Sequence, residues 1–390
     1  MKVLFIEPCH VGFGGYFRAI NICMALSSKN VKVDLLVASK IKFSFAIKQT
    51  DINSNLRMFE LPRFYFHFFI NGRILRGIIG LFFGLLGKYD IVHACVPVQL
   101  ESNIPAFFLK LFNKKVIIDW DDYWEGSKIY GEYKIMKKYV EFCERLAPKF
   151  FQNFVVVSDY LYRLAKKRGA KKIIKIINGV HVHKLASKSS RICRQILKLD
   201  TKTRYLLTFG HTYTHDRAYF LLKYFQKVYE LDPTVKLLFN LNPKDLIKTE
   251  KLERKISASL PFINNIVTTG YISSDLLDYY LVASNATVFL TGNHDNEKAN
   301  FPIRIGTYLN GESPIIINDI NSEANNTLRK YECAIMKLNY SDLAYETVKF
   351  LRNEDYQRKL RKATQKAKKE LSWDKLSEKL IVFYNDILTQ

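Results

Sequence analysis

Short apolar segments alternate with amphipathic ones along the first half of this chain. Runs such as "KVLFIE", "VKVDLLVAS", "DIVHACV" and "NFVVVS" are apolar over nearly their whole length. Helix-like stretches near 15–29, 99–113, 130–147 and 158–168 separate most of them. Apolar strands of this kind belong to parallel sheets that are covered on both faces, and the alternation is typical of βαβ crossovers. The pattern therefore predicts a doubly wound α/β domain.

A second set of strand-like segments follows the polar, basic stretch "HKLASKSSRICRQILKLDTKT". It includes "RYLLTFG", "VKLLFNL", "ATVFLTG" and "PIIIND", again with helical segments between them. The chain closes with "LSWDKLSEKLIVFYNDIL", which has the spacing of an amphipathic helix. We therefore expect two Rossmann-like α/β domains, at about 1–185 and 200–372, and a final helix at about 373–390.

Charge is the strongest compositional feature of the chain. Among 390 residues, 60 Lys and Arg face 37 Asp and Glu, a formal net charge of +23 that favours anionic partners such as lipid or phosphorylated substrate. No nucleic-acid-binding motif accompanies this charge, so we expect no nucleic-acid partner. The six cysteines are scattered, as in proteins of a reducing compartment. The first residues do not resemble a signal peptide, and we expect a cytoplasmic protein.

The segment 61–87, "LPRFYFHFFINGRILRGIIGLFFGLLG", combines aromatic and aliphatic residues with interspersed arginines. These charges interrupt any run long enough to span a bilayer. Two interpretations stay open. The segment could be an interfacial helix on anionic lipid, at the inner face of the cell membrane, or a core helix preceded by an aromatic loop.

Glycines crowd the junction between the first strand and the first helix, in "CHVGFGGYFRAI". Gly14 and Gly15 would let a ligand approach the backbone at a helix N-terminus, where amide groups and the helix dipole attract anions. A tight turn without a ligand explains the same glycines equally well.

Carboxylates follow a predicted strand in "KVIIDWDDYWEGSK". Ligands of open α/β sheets bind outside the carboxyl ends of strands, so Asp121 and Asp122 are candidates to position an acceptor hydroxyl or take its proton. The neighbouring aromatic residues suggest sugar stacking, and His93 is a weaker candidate on the same edge. The alternative is that these acids cap the next helix. The pairs "HVH" and "HTYTH" have spacings that occur in metal sites, but we expect no metal site there.

Five stretches, in order, resemble the GT-B glycosyltransferases, particularly glycosyltransferase family four. They are the glycine-rich start, "VVVSDYLYRLAKKRGAKKIIKIINGV", "LLTFGHTYTHDRAYFLLKYF", "IVTTGYISSDLLDYYLVASNATVFL" and "NEKANFPIRIGTYLNGESPIIIND". The resemblance covers nearly the whole chain. It implies two domains facing a central cleft, with the final helix returning to the N-terminal domain.

The resemblance also assigns roles to residues of the second domain. His211 and Arg217 stand approximately where the family has basic residues that bind the donor phosphates. Arg304 is similar to a basic residue after the family's proline. Glu297, or Asp295 with a shifted loop, matches an acid near the donor sugar.

The remaining implied contacts concern the nucleoside. Thr307 occupies the place of a second glutamate on the ribose hydroxyls, and a threonine cannot grip two hydroxyls as a carboxylate does. Tyr271 and Ile272, with the backbone around Gly270, are expected near the base. The resemblance places Gly14 and Gly15 near the donor phosphates or sugar.

Together these features predict a retaining, metal-independent glycosyltransferase without a cofactor. It would move a sugar from a nucleotide-sugar donor to a glycan or lipid-linked acceptor in surface polysaccharide or glycoconjugate assembly. Two alternatives remain: a GT-B sugar-nucleotide epimerase, and a non-catalytic GT-B protein that binds membranes or polyanions.

Overall fold

The computed structural model describes residues 1–64, 72–125, 134–181, 189–210, 215–241 and 261–389, and the side chains of His215, Asp216 and Ser274 are not described. The chain divides into two compact units. Unit 1 comprises Met1–Gly179, Ala299–Ile303 and Trp373–Gln390, and unit 2 comprises Val180–Lys298 and Arg304–Ser372. The division follows Gly179, near the end expected for the first domain at about 185.

Unit 1 is built on an eight-stranded sheet with the order β3-β4-β2-β1-β5-β6-β7-β8. Its strands are β1 Lys2–His10, β2 Lys32–Ala38, β3 Lys48–Asn53, β4 Leu56–Leu61, β5 Ile91–Cys95, β6 Val116–Trp120, β7 Asn153–Val156 and β8 Lys172–Lys175. Its helices are α1 Tyr16–Ser27, α2 Arg73–Leu86, α3 Leu100–Leu111, α4 Lys134–Phe151, α5 Asp159–Lys167 and the C-terminal α14 Trp373–Leu388. All pairings are parallel except β3 with β4.

Unit 2 is built on a six-stranded sheet of parallel pairs with the order β11-β10-β9-β12-β13-β14. Its strands are β9 Tyr205–Thr208, β10 Lys236–Phe239, β11 Ile266–Thr268, β12 Ala286–Phe289, β13 Ile315–Asn318 and β14 Ala334–Lys337. The helices of this part of the chain are α6 Ser190–Ile196, α7 His215–Leu231, α8 Ser274–Ala283, α9 Asp295–Ala299, α10 Ile303–Asn310, α11 Glu323–Lys330, α12 Tyr340–Arg352 and α13 Glu354–Glu370, with a short 3₁₀ turn at Ile263–Asn265.

The predicted pair of Rossmann-like α/β domains is confirmed. The central strands are buried on both sides, as in β1, where Val3, Leu4 and Phe5 are wholly inaccessible, because helices cover both faces of a parallel sheet. The structure adds two elements that the pattern did not show. The exposed polar strand β3 pairs antiparallel with β4 at the sheet edge, and α6 forms within the basic stretch that looked like a linker.

Candidate functional site

In unit 1, the glycine-rich turn lies at the point where the strand order reverses. β1 pairs with β2 on one side and with β5 on the other, and open α/β sheets bind ligands in the crevice at this position. Gly12 and Gly14 have φ values of +81° and +55°, which favour glycine. Gly15 then caps the N-terminus of α1.

A buried carboxyl group lies directly against this turn. A Cβ atom on Gly15 would lie 2.8 Å from Oε1 of Glu7, so any larger residue there would require the Glu7 carboxyl group to move. Glu7 accepts a hydrogen bond of 2.9 Å from the Cys9 amide, and burial raises the pKa of its carboxyl group to about 7. Glu7 was not predicted from the sequence. The feature that could have indicated it is an acidic residue near the end of an apolar strand, just before the glycines.

Arg18 and Asp119 form a buried ion pair beside the turn. The Arg18 guanidinium donates to both Asp119 oxygens, at 2.9 and 3.0 Å, and also to Asn178 Oδ1 and the Ile176 carbonyl. Burial by itself would raise the pKa of Asp119, but the charge of Arg18 and the contact with His93 hold it below its ordinary value. Asp119 is therefore a structural anion of unit 1.

Asp121 and Asp122 follow β6, at the carboxyl edge of the sheet. The Oδ1 atom of Asp121 is buried and has no hydrogen-bond partner within the described part of the chain. Burial, followed by the charges of Asp122, Asp119 and Glu7, raises the pKa of Asp121 well above its ordinary value. A carboxyl group with an unsatisfied oxygen at a ligand-binding edge is suited to a hydroxyl ligand.

The other residues predicted at this edge have structural partners. Trp120 is fully buried and donates to Glu144 Oε1 at 2.8 Å, so the stacking suggested for it is wrong. Glu125 pairs with Arg145 and Arg168. His93 is also fully buried, 2.7 Å from the Tyr384 hydroxyl, so it does not face a ligand.

One set of side chains in the described residues has the spacing of metal ligands. The donor atoms of His93, Cys95 and Asp119 all lie within 4.8 Å of one another. Arg18 already occupies both Asp119 oxygens, and burial raises the pKa of the Cys95 thiol well above its ordinary value. A cation would have to displace the guanidinium, so this set fits a metal ion poorly.

In unit 2, Arg304 lies at the corresponding reversal of strand order, between β9 and β12. Its guanidinium donates to the Phe209 carbonyl at 3.1 Å, and its central carbon lies 5.0 Å from the centre of the Phe289 ring. Phe209 follows β9, and Phe289 ends β12. Gly210, with φ +153°, leaves room for it, because a Cβ there would lie 2.4 Å from Arg304 Nη1. The fold thus holds a fixed cation at the reversal of strand order, the position at which open α/β sheets bind ligands.

The remaining candidates are distributed around the same edge. Thr307 lies one turn after Arg304 on α10 and is half-buried. Arg217, near the start of α7, donates to the Glu297 carboxylate on α9, so the two candidates contact each other. Tyr271 and Ile272 follow β11, and Tyr271 is 80% exposed.

One predicted donor ligand cannot be placed. His211, like residues 65–71 of the basic and aromatic segment, lies outside the described residues.

The described part of segment 61–87 forms a helix, α2, with one buried and one exposed side, and the interpretation as a lipid-binding helix stays a prediction. Arg63 and Arg76 are buried; Arg63 donates to backbone carbonyls, and Arg76 donates to Glu101 and to the Pro62 carbonyl. Lipid contact by these two arginines is therefore excluded, whereas one side of α2 is exposed. In the chain as described, the helices are all too short or too polar to span a bilayer.

The architecture is that of GT-B proteins, with a doubly wound α/β unit on each side of a division at Gly179. No protein-family model and no curated protein matches this sequence. Sucrose-phosphate synthase from Thermosynechococcus elongatus superposes with a TM-score of 0.73 at 15% identity, over 100% of this chain and 99% of that one.

Two further solved structures share the fold along the chain. WaaG, a glycosyltransferase involved in lipopolysaccharide biosynthesis, has a TM-score of 0.68 at 12% identity, covering 99% of both chains. Anabaena Alr3699/HepE in complex with UDP-glucose has a TM-score of 0.70 at 13% identity, covering 99% of this chain and 100% of that one. At these identities the likeness shows the GT-B fold.

Proposed function

We propose that the protein is a glycosyltransferase that takes a sugar from a nucleotide-sugar donor. The observation that carries this proposal is the guanidinium of Arg304 at the crevice of unit 2. Support comes from the fold, which is shared over nearly the full chain with a sucrose-phosphate synthase, with WaaG and with a protein solved with UDP-glucose.

A leaving nucleoside diphosphate needs positive charge to stabilise it. The Arg304 side chain is held by a backbone carbonyl and an aromatic ring, so little conformational entropy is lost when it binds an anion. A charge-assisted, bidentate contact of arginine with phosphate is strong and directional. We therefore propose transfer without a bound metal ion. Retention at the anomeric carbon is proposed from the resemblance to glycosyltransferase family four alone.

The acceptor is proposed to be a glycan or lipid-linked glycan, bound at the carboxyl edge of unit 1. Asp121 supports this assignment, because its buried Oδ1 atom has no protein partner among the described residues. We assign Asp121 to the acceptor hydroxyl and Asp122 to a supporting charge beside it. The positive net charge of the chain suits an acceptor that carries phosphate or lies on an anionic surface.

Isothermal titration calorimetry with UDP-, GDP- and ADP-sugars tests the donor assignment. We expect one donor class to bind and Arg304→Met to weaken it at least about tenfold, since a charge-assisted contact is lost. The donor affinity of Arg304→Lys should lie between that of the parent protein and that of Arg304→Met. Arg329→Met is the matched control, because Arg329 is half-exposed on α11 and pairs with Asp319.

The same titrations separate the alternatives. A sugar-nucleotide epimerase would convert the donor without any acceptor, and a non-catalytic protein would bind no donor. Unchanged donor affinity in Arg304→Met would overturn the assignment of Arg304. The anomeric configuration of the product by NMR, and turnover in the presence of a chelator, test retention and metal independence.

A further inference from the structure

One buried carboxyl group binds the chain on both sides of residues 121–122. Glu144, on α4, is fully buried. Its Oε1 atom accepts hydrogen bonds of 2.8 Å from the Trp120 indole and 2.9 Å from the Trp124 amide, and its Oε2 atom accepts one of 2.6 Å from the Glu125 amide. Trp120 ends β6, and the two aspartates lie between it and Trp124. The Glu144 carboxyl group therefore fixes both ends of this short stretch.

Residues 121–125, here called the acidic segment, are also held from the turn between α5 and β8. Arg168 of that turn donates to the Glu144 carbonyl at 3.3 Å and to the Glu125 carboxylate at 2.5 Å. Its guanidinium carbon lies 5.8 Å from the centre of the Trp120 ring. Groups from three elements thus meet behind the acidic segment, and Glu144 is the one that contacts the chain before and after the aspartates.

Only the ionised form of Glu144 matches its surroundings. The described groups that face its carboxyl oxygens are an indole N–H and two amide N–H groups, all of them donors. A carboxylate only accepts hydrogen bonds, whereas a protonated carboxyl group carries a donor of its own. A proton on Glu144 would therefore bring a fourth donor against three donors and loosen the acidic segment.

This change of state falls near neutral pH. Burial raises the pKa of Glu144 to about 7, although the N–H donors and the charge of Arg168 act against it. The other charged groups around Glu144 are paired: Glu125 with Arg145 and Arg168, and Asp119 of β6 with an arginine of α1. Strand β7, which also packs against α4, carries no titratable side chain.

We propose that Glu144 is a positioning residue whose carboxylate holds Asp121 and Asp122 in place for the hydroxyl group of the acceptor. The inference deepens the proposed function and rests on it. The Oδ1 atom of Asp121 makes no hydrogen bond within the described part of the chain, so the anchors on either side of it take over the task of fixing its place. A displacement of about 1 Å at a reacting group can lower a rate about a hundredfold.

Two variants separate the charge of Glu144 from its reach. Glu144→Gln keeps the length of the side chain. With its oxygen towards Trp120 and Trp124, its NH₂ group faces the Glu125 amide, donor against donor. Glu144→Asp keeps the charge but is one methylene shorter, so it cannot reach both sides of the acidic segment.

Two control variants remove the same charge elsewhere in unit 1. Glu141→Gln changes a partly exposed acid on the same helix, which pairs with Lys137. Glu101→Gln changes a buried acid of α3, which pairs with Arg76. The second control shows what a loss of stability in unit 1 does by itself.

Fluorine NMR of the full chain labelled with 5-fluorotryptophan tests the inference without donor or acceptor. The chain has three tryptophans, and Trp→Phe replacements assign their signals. We expect the Trp120 and Trp124 signals to move together with a midpoint near pH 7, the pKa of Glu144. In Glu144→Gln both should stay constant from pH 6 to pH 8, whereas both control variants should titrate like the parent protein. The Trp373 signal is the internal reference.

Turnover tests the role in the proposed reaction. Release of nucleoside diphosphate from the donor is followed with octyl glucoside as the acceptor probe. Glu144→Gln and Glu144→Asp should lower kcat at least about tenfold and leave the donor KM within about twofold, because Arg304 is untouched. The kcat of the parent protein should fall by up to about tenfold from pH 8 to pH 6, as Glu144 takes up its proton, and this ratio should be smaller in Glu144→Gln. Both controls should keep the parent kcat.

Either of two results would overturn the inference. The first is the same titration of the Trp120 and Trp124 signals in Glu144→Gln as in the parent protein. The second is a Glu144→Gln variant, folded by circular dichroism, with the parent kcat. A parent protein that releases no nucleoside diphosphate would instead contradict the proposed function, and the fluorine signals would then decide by themselves whether Glu144 positions the acidic segment.

Discussion

Replacing Arg18 with methionine tests whether the buried ion pair stabilises unit 1. Arg18 is 2% exposed, and its guanidinium makes four hydrogen bonds, two of them to the Asp119 carboxylate. The variant leaves Asp119, which is 1% exposed, without its cation. Removing one partner of a buried pair costs about 3–5 kcal/mol, because an uncompensated charge stays buried. For a unit of this size that corresponds to a fall of about 6–20 °C in Tm.

Tryptophan fluorescence during urea unfolding is the appropriate assay. All three tryptophans, Trp120, Trp124 and Trp373, belong to unit 1, so the signal reports the unit that contains Arg18. The Trp373 ring centre lies 5.9 Å from the Arg18 guanidinium carbon. Lys137→Met is the control, since the pair of Lys137 with Glu141 is exposed, and it should cost less than about 0.5 kcal/mol.

The stability lost in Arg18→Met should depend on pH. The folded-state pKa of Asp119 is lowered, so its stabilising contribution is present above the unfolded value and is lost as the pH falls through the folded value. In Arg18→Met the unpaired carboxylate takes up a proton at higher pH, so the difference from the parent protein should shrink between pH 7 and pH 4. Arg18→Met/Asp119→Asn should recover at least half of the loss. A cost below about 1 kcal/mol that is equal at both pH values would refute this reasoning.

Two further perturbations concern groups that the fold buries. Glu7→Gln should stabilise the protein increasingly as the pH rises from 5 to 8, by up to about 3 kcal/mol. The reason is that the pKa of Glu7 is raised, so ionising its buried carboxyl group opposes folding. Urea titrations that show the same effect at every pH would contradict this prediction. Gly84→Ala should cost about 1–3 kcal/mol, although alanine favours helices, because the added Cβ would lie 2.3 Å from Leu109. Gly80→Ala, with 3.3 Å to Pro105, should cost less, and equal thermal stability of both variants would show that α3 shifts freely.

Much of the candidate site was open to prediction because strand ends can be found in sequence. Apolar runs locate β1 and β6, so the glycine-rich turn and Asp121 could be placed at a carboxyl edge before any coordinates were known. The order of the strands in each sheet could not be predicted from the sequence, since it depends on pairing between distant segments. Only the pairing places β1 against β5, and β9 against β12, at the reversals where ligands bind.

The roles of individual acids depended on their neighbours in space. From the sequence alone, Asp119 and Glu125 are candidates equal to Asp121. In the structure, Arg18 of α1 pairs with Asp119. Arg145 of α4 and Arg168, between α5 and β8, pair with Glu125. Similarly, the sequence does not distinguish Arg76 from Arg73: both pair with Glu101 of α3, but the side chain of Arg76 is 7% exposed and that of Arg73 is 41% exposed. Ion pairs of this kind join residues 20 to 101 positions apart, which no local pattern encodes.

The sequence by itself determined the two α/β units, because burial on both faces of a parallel sheet demands apolar strands and amphipathic helices that are visible residue by residue. It also determined the positive charge and the glycines that permit close approach. Tertiary structure alone decided which charges are buried in pairs and which remain open to a ligand. The physical reason is that the free energy of a charge depends on the groups and the solvent around it, and folding brings those groups together from distant parts of the chain.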